Sequence, residues 1–387
     1  MHLDPKLEEY AASPEQWEKY SLYCKYGNAA EAARNSQYSV SAIKRAKFAI
    51  YKQAAKFGYS PEHDMTHPTA PGFAIKGVST LYGPDGEQKA QWVKTTADRE
   101  AQEAAMQAAV EALSEDIKRA KPVTPPKHAT DSLMSIYPVG DHHIGMLAWA
   151  EETEDDYDTK TAERLLNGAF DFLVSAAPKS KVGIVCLIGD FLHYDSYDSV
   201  TPQSKHQLDA DSRYPRIVRA AMRTVRHAIF RALEKHEVVR VIVVAGNHDA
   251  SSMVFLREAL CALYENEPRV EVDRSPKLFH YYRFGKFMLG VHHGDKVKMQ
   301  NLPLLMASDK PEDWGKSKHR LILTGHVHHD SAKDFNGAKV ESIRILAPAD
   351  AYAYGAGYRT PRDMKRLDIH AEYGEVGRQT VTPEMIA

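Results

Sequence analysis

Three observations in the sequence predict an α/β fold. Four short apolar runs, 134–140, 182–188, 238–245 and 321–324, are rich in β-branched residues and have the length of buried strands. Each stops at a polar string: Asp141-His142-His143, Gly189-Asp190, Gly246-Asn247-His248-Asp249 and Gly325-His326-Val327-His328. Between the second and third runs, 215–235 has the periodicity of a helix. Val218, Met222, Val225, Ile229 and Leu233 form one stripe, and Arg213, Arg216, Arg219, Arg223 and Arg226 form the opposite one. Ligand-binding residues of open α/β sheets gather beyond the carboxyl ends of the strands, so strings far apart in the chain are expected to converge there.

Ahead of this region the chain reads differently. Ser13-Pro14-Glu15-Gln16 opens a helix through Tyr26, Asn28 opens a short one to Arg34, and Ser39 begins a longer one to about Phe57, closed by Gly58. A short alanine-rich helix, a break and a basic helix make a helix-turn-helix pattern. Between 34 and 56 there are six basic residues, Arg34, Lys44, Arg45, Lys47, Lys52 and Lys56, and no acidic ones, which favours phosphate contact. Ser41, Lys44 and Arg45 are the expected groove contacts, with a small helical module packed on a partner as the alternative. The stretches 72–82 and 89–94 flank Gly83-Pro84-Asp85-Gly86 and predict a β-hairpin, a candidate wing. An alanine- and glutamate-rich helix is expected over 97–121 and a proline-containing linker over 122–131. The expected domains are therefore 1–60, helix-turn-helix-like; 61–96, hairpin or wing; 97–131, helix and linker; and 132–387, the α/β part.

Within the α/β part, 194–212 carries Asp195, Asp198, Asp209 and Asp211 and reads as a solvated insertion beside the Asp190 string. The small-residue stretch 347–358 carries Tyr352, Tyr354 and Tyr358, which either pack or stack on bases. Residues 366–370 and 376–381 read as a closing hairpin of a second sheet.

The ordered strings Asp-x-His, Gly-Asp, Gly-Asn-His-Asp, His-Gly and Gly-His-x-His resemble the calcineurin-like metallophosphoesterase family from about Leu133 to the C-terminus. The resemblance implies a sandwich of two facing mixed sheets with helices outside. It also implies a cage for two divalent ions. Asp141, His143 and His328 hold one, Asp190 bridges both, and Asn247, His326 and a histidine of His292-His293-Gly294 hold the other. His293 directly precedes the glycine, as the family's ligand does, but neighbouring strand residues face opposite ways and His292 is the alternative. Oxygen and imidazole ligands without thiolate suit Mn²⁺ first, with Fe, Zn²⁺ or Mg²⁺ as further candidates. In the family, hydroxide generated by the metal pair attacks in line and the histidine at His248 protonates the leaving alkoxide. Asp249 is the candidate to orient a histidine. His142, His193 and His329 adjoin the ligand strings without matching ligand positions, and the family often has an acidic residue where His193 stands.

Of the 387 residues 43% are hydrophobic, enough for a sizeable core, and the net charge of −2 selects no partner. Three scattered cysteines exclude a disulfide framework. The start lacks a secretory pattern and no apolar stretch reaches the length of a membrane span. A cytoplasmic enzyme is expected, in a host cytoplasm if the phage-like domain combination reflects its origin, and a homo-oligomer is compatible with the sequence. The expected function is metal-dependent phosphodiester hydrolysis by a DNA nuclease, with Arg213 and Arg216 holding the phosphate backbone beside the scissile bond. The alternatives are a small-molecule or cyclic-nucleotide phosphodiesterase and a non-catalytic DNA-binding or assembly protein.

Overall fold

The computed structural model describes residues 3–57, 59, 73–82, 88–97, 123–202 and 206–386, the strands at 73–82 and 88–97 by backbone alone. The chain divides into two units, Met1–Ala104 and Ala105–Ala387.

The first unit follows its capping signals. After a 3-10 turn, Pro5–Tyr10, come α1 (Pro14–Tyr26), α2 (Ala29–Arg34) and α3 (Val40–Lys56). The Ser13, Asn28 and Ser39 side chains accept the N–H groups of Gln16, Glu31 and Ala42, satisfying donors that each first turn leaves open. Gly27, at φ 75°, adopts the left-handed conformation that ends α1. The core joins Leu7, Tyr20, Cys24, Ile50 and Ala54, with Ala29, Ala32 and Ile43 beside it. Strands β1 (Phe73–Tyr82) and β2 (Gln88–Ala97) pair antiparallel as the expected hairpin. Its turn, Gly58 and the helix expected over 97–121 beyond Ala97 lie outside the described residues.

The second unit contains two mixed sheets. One is ordered β13-β12-β3-β4-β5-β6, from β3 (Thr130–Val139), β4 (Ser180–Leu187), β5 (His236–Val243), β6 (Val270–Val272), β12 (Met364–His370) and β13 (Gly374–Val381). The other is ordered β10-β11-β9-β8-β7, from β7 (His280–Phe284), β8 (Phe287–Val291), β9 (His319–Thr324), β10 (Ser331–Phe335) and β11 (Ala338–Ser342). Side-chain alternation gives each sheet two buried faces. Met134, Ile136, Ile184, Cys186 and Ile242 meet Phe287, Leu289, Val291, Leu321 and Leu323 between the sheets. On the outer face of the first sheet, Tyr137, Val185, Leu187 and Val241 pack on Leu166, Phe170, Met222, Val225 and Ile229 of the helices Thr159–Ser175 and Tyr214–Leu233. Met288 and Ile322 of the second sheet pack outward on Leu302 and Met306. The result is an α/β/β/α sandwich. Each fully buried aliphatic side chain contributes roughly 1.5–3 kcal/mol, so the middle layer fixes the two sheets against each other and brings their strand ends to one rim.

Two expectations change. The closing hairpin forms, but it extends the first sheet, with β12 antiparallel to β3. Leu367 and Ile369 enter the intersheet core beside Met134 and Ile136, and Ser135 donates to Asp368 at 2.8 Å. The acids of 194–212 are also not merely solvated. Asp195 accepts the N–H groups of Ser251 and Ser252 at the start of the helix Ala250–Leu263, and Asp211 accepts that of Thr159. They clamp the insertion onto two helix starts.

Candidate metal centre

Every matched string lies immediately beyond a strand: Asp141 and His143 after β3, Asp190 after β4, Asn247 and His248 after β5, His293 after β8, and His326 and His328 after β9. The chain must turn sharply there for the side chains to point back over the sheet ends. His143, Asp190, His326 and His328 do so at φ 48°, 46°, 70° and 54°, four of the six described non-glycine residues with positive φ. Each such conformer costs about 1–3 kcal/mol, and the surrounding hydrogen bonds hold it. The glycines have a related cause. A Cβ on Gly246 would collide with the Asp190 carboxylate, one on Gly325 with that of Asp141, and one on Gly189 with the His293 ring.

Two ligand clusters result. In the first, Asp141, His143 and His328 offer ligand atoms within 4.8 Å of one another. His328 Nε2 lies 2.9 Å from Asp141 Oδ2 and 3.4 Å from His143 Nε2. The second contains Asp190, His293 and His326. His293 Nε2 is 3.3 Å from Asp190 Oδ2 and 3.0 Å from Asn247 Oδ1. His293, not His292, thus faces the site. Its Nδ1–H donates to the Ile188 carbonyl, which leaves Nε2 inward, while His292 stacks on Phe279 at 4.4 Å and accepts the Gly294 N–H.

This donor set fits a pair of divalent cations. Asp141 and Asp190 are 0% and 2% exposed, and among the described residues neither pairs with a lysine or arginine. Buried carboxylates need compensating charge. Burial opposes charge on His293, yet the hydrogen bond and charge of Asp190 raise its ring to about 10. The pocket therefore favours positive charge. Burial and the rings of His248, His193 and His328 hold His143 well below the usual histidine range, which keeps its lone pair available to a metal.

His248 stands beside this cage. Its backbone N–H donates to Asp190 Oδ1 at 2.7 Å, and its Nδ1 lies 2.8 Å from the His193 carbonyl, so Nε2 is the ring nitrogen this contact leaves open. Asp249 does not orient a histidine. It is fully buried and accepts the N–H groups of Phe191, Leu192 and Gly246, tying the loops after β4 and β5 together. It is a positioning residue, because backbone donors use both of its oxygens. His193 is buried and joins His143 and His248 in a third cluster, its Nδ1 3.3 Å from that of His143. Burial pushes it down to about 3. His142 is structural: its Nε2–H donates to the Ala162 carbonyl, and burial pushes it down to about 4. His329 lies outside the cage, exposed, with Nδ1 2.8 Å from the Val327 carbonyl.

Two supports carry no sequence signal. Tyr157 donates to the His142 carbonyl at 2.6 Å and Thr360 to the His328 carbonyl at 3.1 Å. Both act on backbone atoms, which no residue pattern reports.

The arginine stripe is partly engaged. Arg223 pairs bidentately with Glu163 at 2.8 and 2.7 Å, whereas Arg213 and Arg216 are exposed at the helix start. The next residue, Ile217, packs on Gly145, two residues past His143. In the other unit, Ser41, Lys44 and Arg45 are exposed on one face of α3, and among the described residues Lys44 and Arg45 have no ion-pair partner. Arg45 Nε donates to the Ser41 carbonyl at 3.3 Å.

The sandwich and its histidine and aspartate clusters define a metal-dependent phosphoesterase. The sequence model of the calcineurin-like phosphoesterases matches residues 134–355, more than half of the chain, and the chain belongs to that family. No curated protein sequence matches it significantly. Similar solved structures include a conserved predicted phosphoesterase from Streptococcus pneumoniae TIGR4, at 12% identity and TM-score 0.30, covering 66% of this chain and 92% of that one. Zinc-complexed Vps29 from Entamoeba histolytica has 13% identity and TM-score 0.28, covering 65% and 99%. An archaeal phosphodiesterase has 13% identity and TM-score 0.32, covering 64% and 100%. At these scores the likenesses carry no further argument. Among the described residues no helix is long and apolar enough to cross a membrane.

Proposed function

We propose that this phosphoesterase is a nuclease that hydrolyses phosphodiester bonds of DNA, with Mn²⁺ as the preferred ion. The observation that carries the reading is the pair Arg213 and Arg216, exposed at a helix start that packs beside the Asp141–His143 loop. A strand whose scissile phosphate sits at the cage extends past the cage, and guanidinium groups there suit its neighbouring phosphates. The exposed basic face of α3 supports the same substrate, with Ser41, Lys44 and Arg45 as groove contacts.

When bound, two divalent ions supply Lewis-acid charge for the phosphate oxygens and lower the pKa of water. Asp141, His143 and His328 would hold one ion and Asn247, His293 and His326 the other, with Asp190 as the carboxylate shared between the two sets. His248, anchored through Nδ1, delivers a proton from Nε2 to the leaving oxygen, since the alkoxide of a diester is a strong base.

One observation favours a small diester instead. The segment after Trp149 carries Glu151, Glu152, Glu154, Asp155 and Asp156, which repel a polyanion on that side. The test is full-length protein with Mn²⁺ on linear duplex DNA, circular single-stranded DNA, RNA and bis-p-nitrophenyl phosphate. Hydrolysis of the chromogenic diester with no polynucleotide cleaved would sink the nuclease reading and leave the small-diester one. Affinity for DNA is expected to fall steeply with salt, whereas a small diester held by the ions has a shallow slope. DNA binding with no hydrolysis of any substrate would support the non-catalytic reading.

A further inference from the structure

Large side chains stand in the open next to the cage. Leu147 and Trp149 are 43% and 56% exposed, and Tyr352 and Tyr358 are 81% and 64% exposed. Aromatic side chains ordinarily bury much of their surface, so a group of them at a functional rim asks for an occupant.

The first pair belongs to the segment that leaves the ligand loop. Met146 N–H donates to the His143 carbonyl at 3.0 Å, and bridges from Met146 to Ala210 and from Ala148 to Tyr157 make the segment extended. Side chains of an extended segment alternate, so with Met146 and Ala148 buried, Leu147 and Trp149 share the outer side. The tyrosines belong to the chain that Thr360 ties to the His328 carbonyl. The helical turn Ala150–Thr153 touches Ala351–Gly355, and Arg362 pairs with Asp155 at 2.9 Å, so the two segments are neighbours. Arg359 stiffens the second one. Its guanidinium lies 3.3 Å from the centre of the Tyr354 ring and donates to the carbonyls of Tyr354 and Tyr358.

Charge is divided across this rim. On one side Leu147 N–H donates to the Asp209 carbonyl and Ile217 packs on Gly145, which brings the start of the Arg213 and Arg216 helix alongside. Directly past Trp149 in the chain, Glu151 and Glu152 are exposed. A chain of phosphates is drawn to the arginines and away from the glutamates, and its bases then face the aromatic side chains.

We propose that Trp149, Tyr352 and Tyr358 form a base-stacking rim that takes an unpaired polynucleotide strand into the metal centre. The inference rests on the nuclease reading and narrows it, because paired bases hide the faces that stacking needs. Trp149 is the central platform, and Arg213 and Arg216 hold the backbone beside it.

The test is fluorescence anisotropy of labelled oligothymidylate, oligouridylate and a duplex of equal length on the full chain in EDTA, read for wild type, Trp149→Ala, Trp149→Phe and Trp149→Ala/Tyr352→Ala/Tyr358→Ala. Base–aromatic stacking predicts that Trp149→Ala weakens binding of the single strand roughly 5- to 100-fold. Trp149→Phe is expected to restore most of it, and the triple variant to lose more than Trp149→Ala while keeping its duplex affinity. Oligouridylate is expected to behave as oligothymidylate does. Single-strand affinity unchanged in the triple variant, or lowered equally for the duplex, overturns the proposal. Failure of wild type to cleave any polynucleotide overturns the nuclease reading instead, whatever the anisotropy shows.

Discussion

The rim of the sandwich and the exposed face of α3 are built under opposite constraints. At the rim, Asp141, His143, Asp190 and His293 are buried, several candidate ligands occupy left-handed backbone, and glycines stand where any Cβ would strike a carboxylate. On α3, Ile43, Ala46, Ile50 and Ala54 hold an ordinary helix in place, while Ser41, Lys44, Arg45 and Phe48 extend into solvent. The first region tolerates almost no change because each atom is held from several elements. The second tolerates many, because a solvated cation works from a range of positions. The candidate metal centre is therefore over-determined by the fold, whereas the DNA contact proposed for α3 rests on distributed charge.

The largest expected effect comes from breaking the cage. Asp190→Asn removes one of two buried charges, and bound metal measured by elemental analysis is expected to fall from two ions to one or none, with hydrolysis of bis-p-nitrophenyl phosphate lost. Retention of two ions with full activity would contradict the assignment of Asp190. Next is His248→Asn, expected to lower kcat on a diester by roughly 10²–10⁴ while metal content stays at the wild-type value. An unchanged kcat would remove His248 from the reaction.

A third prediction concerns stability in the same unit, away from the rim. His236 is fully buried, with Nδ1 2.7 Å from Ser180 Oγ and Nε2 2.8 Å from the Tyr137 hydroxyl. Ser180 donates onward to the Val182 carbonyl, so it accepts Nδ1–H, and Nε2 is left to accept from Tyr137. That arrangement requires a neutral ring. Burial, and after it the charge of Arg366, push His236 down to about 3. The unfolded ring, near 6.5, takes a proton that the folded one refuses, so its contribution is complete above about pH 6.5 and is lost as pH falls toward 3. Denaturant titrations are expected to show about 1.4 kcal/mol less stability per pH unit across that window from this residue. His236→Gln should flatten the slope, and an identical slope in the variant would assign it elsewhere.

The smallest effect is expected on α3. Lys44→Ala/Arg45→Ala should weaken duplex DNA binding and reduce the magnitude of the salt slope by about one to two, leaving diester hydrolysis untouched. An unchanged salt dependence would mean that α3 meets a protein surface instead.

Much of this was readable before folding is considered. The strand runs, the capping residues at Ser13, Asn28 and Ser39, and seven metal-ligand candidates follow from periodicity, side-chain hydrogen bonding and motif order. Asp249 was misread because a carboxylate beside a histidine in sequence says nothing about which donors reach it in space. Asp195 and Asp211 read as solvated because the helix starts they cap belong to other segments.

By itself the sequence determined which residue types gather at strand ends, since a buried strand must shed its polar groups where it stops. Only the tertiary structure decided that His293 faces Asp190 and Asn247 while His292 stacks on Phe279, and that β12 extends the first sheet. The reason is common to both. Alternation along a strand fixes that neighbours point opposite ways, but which way is inward depends on the surfaces packed against each face, and these come from distant parts of the chain.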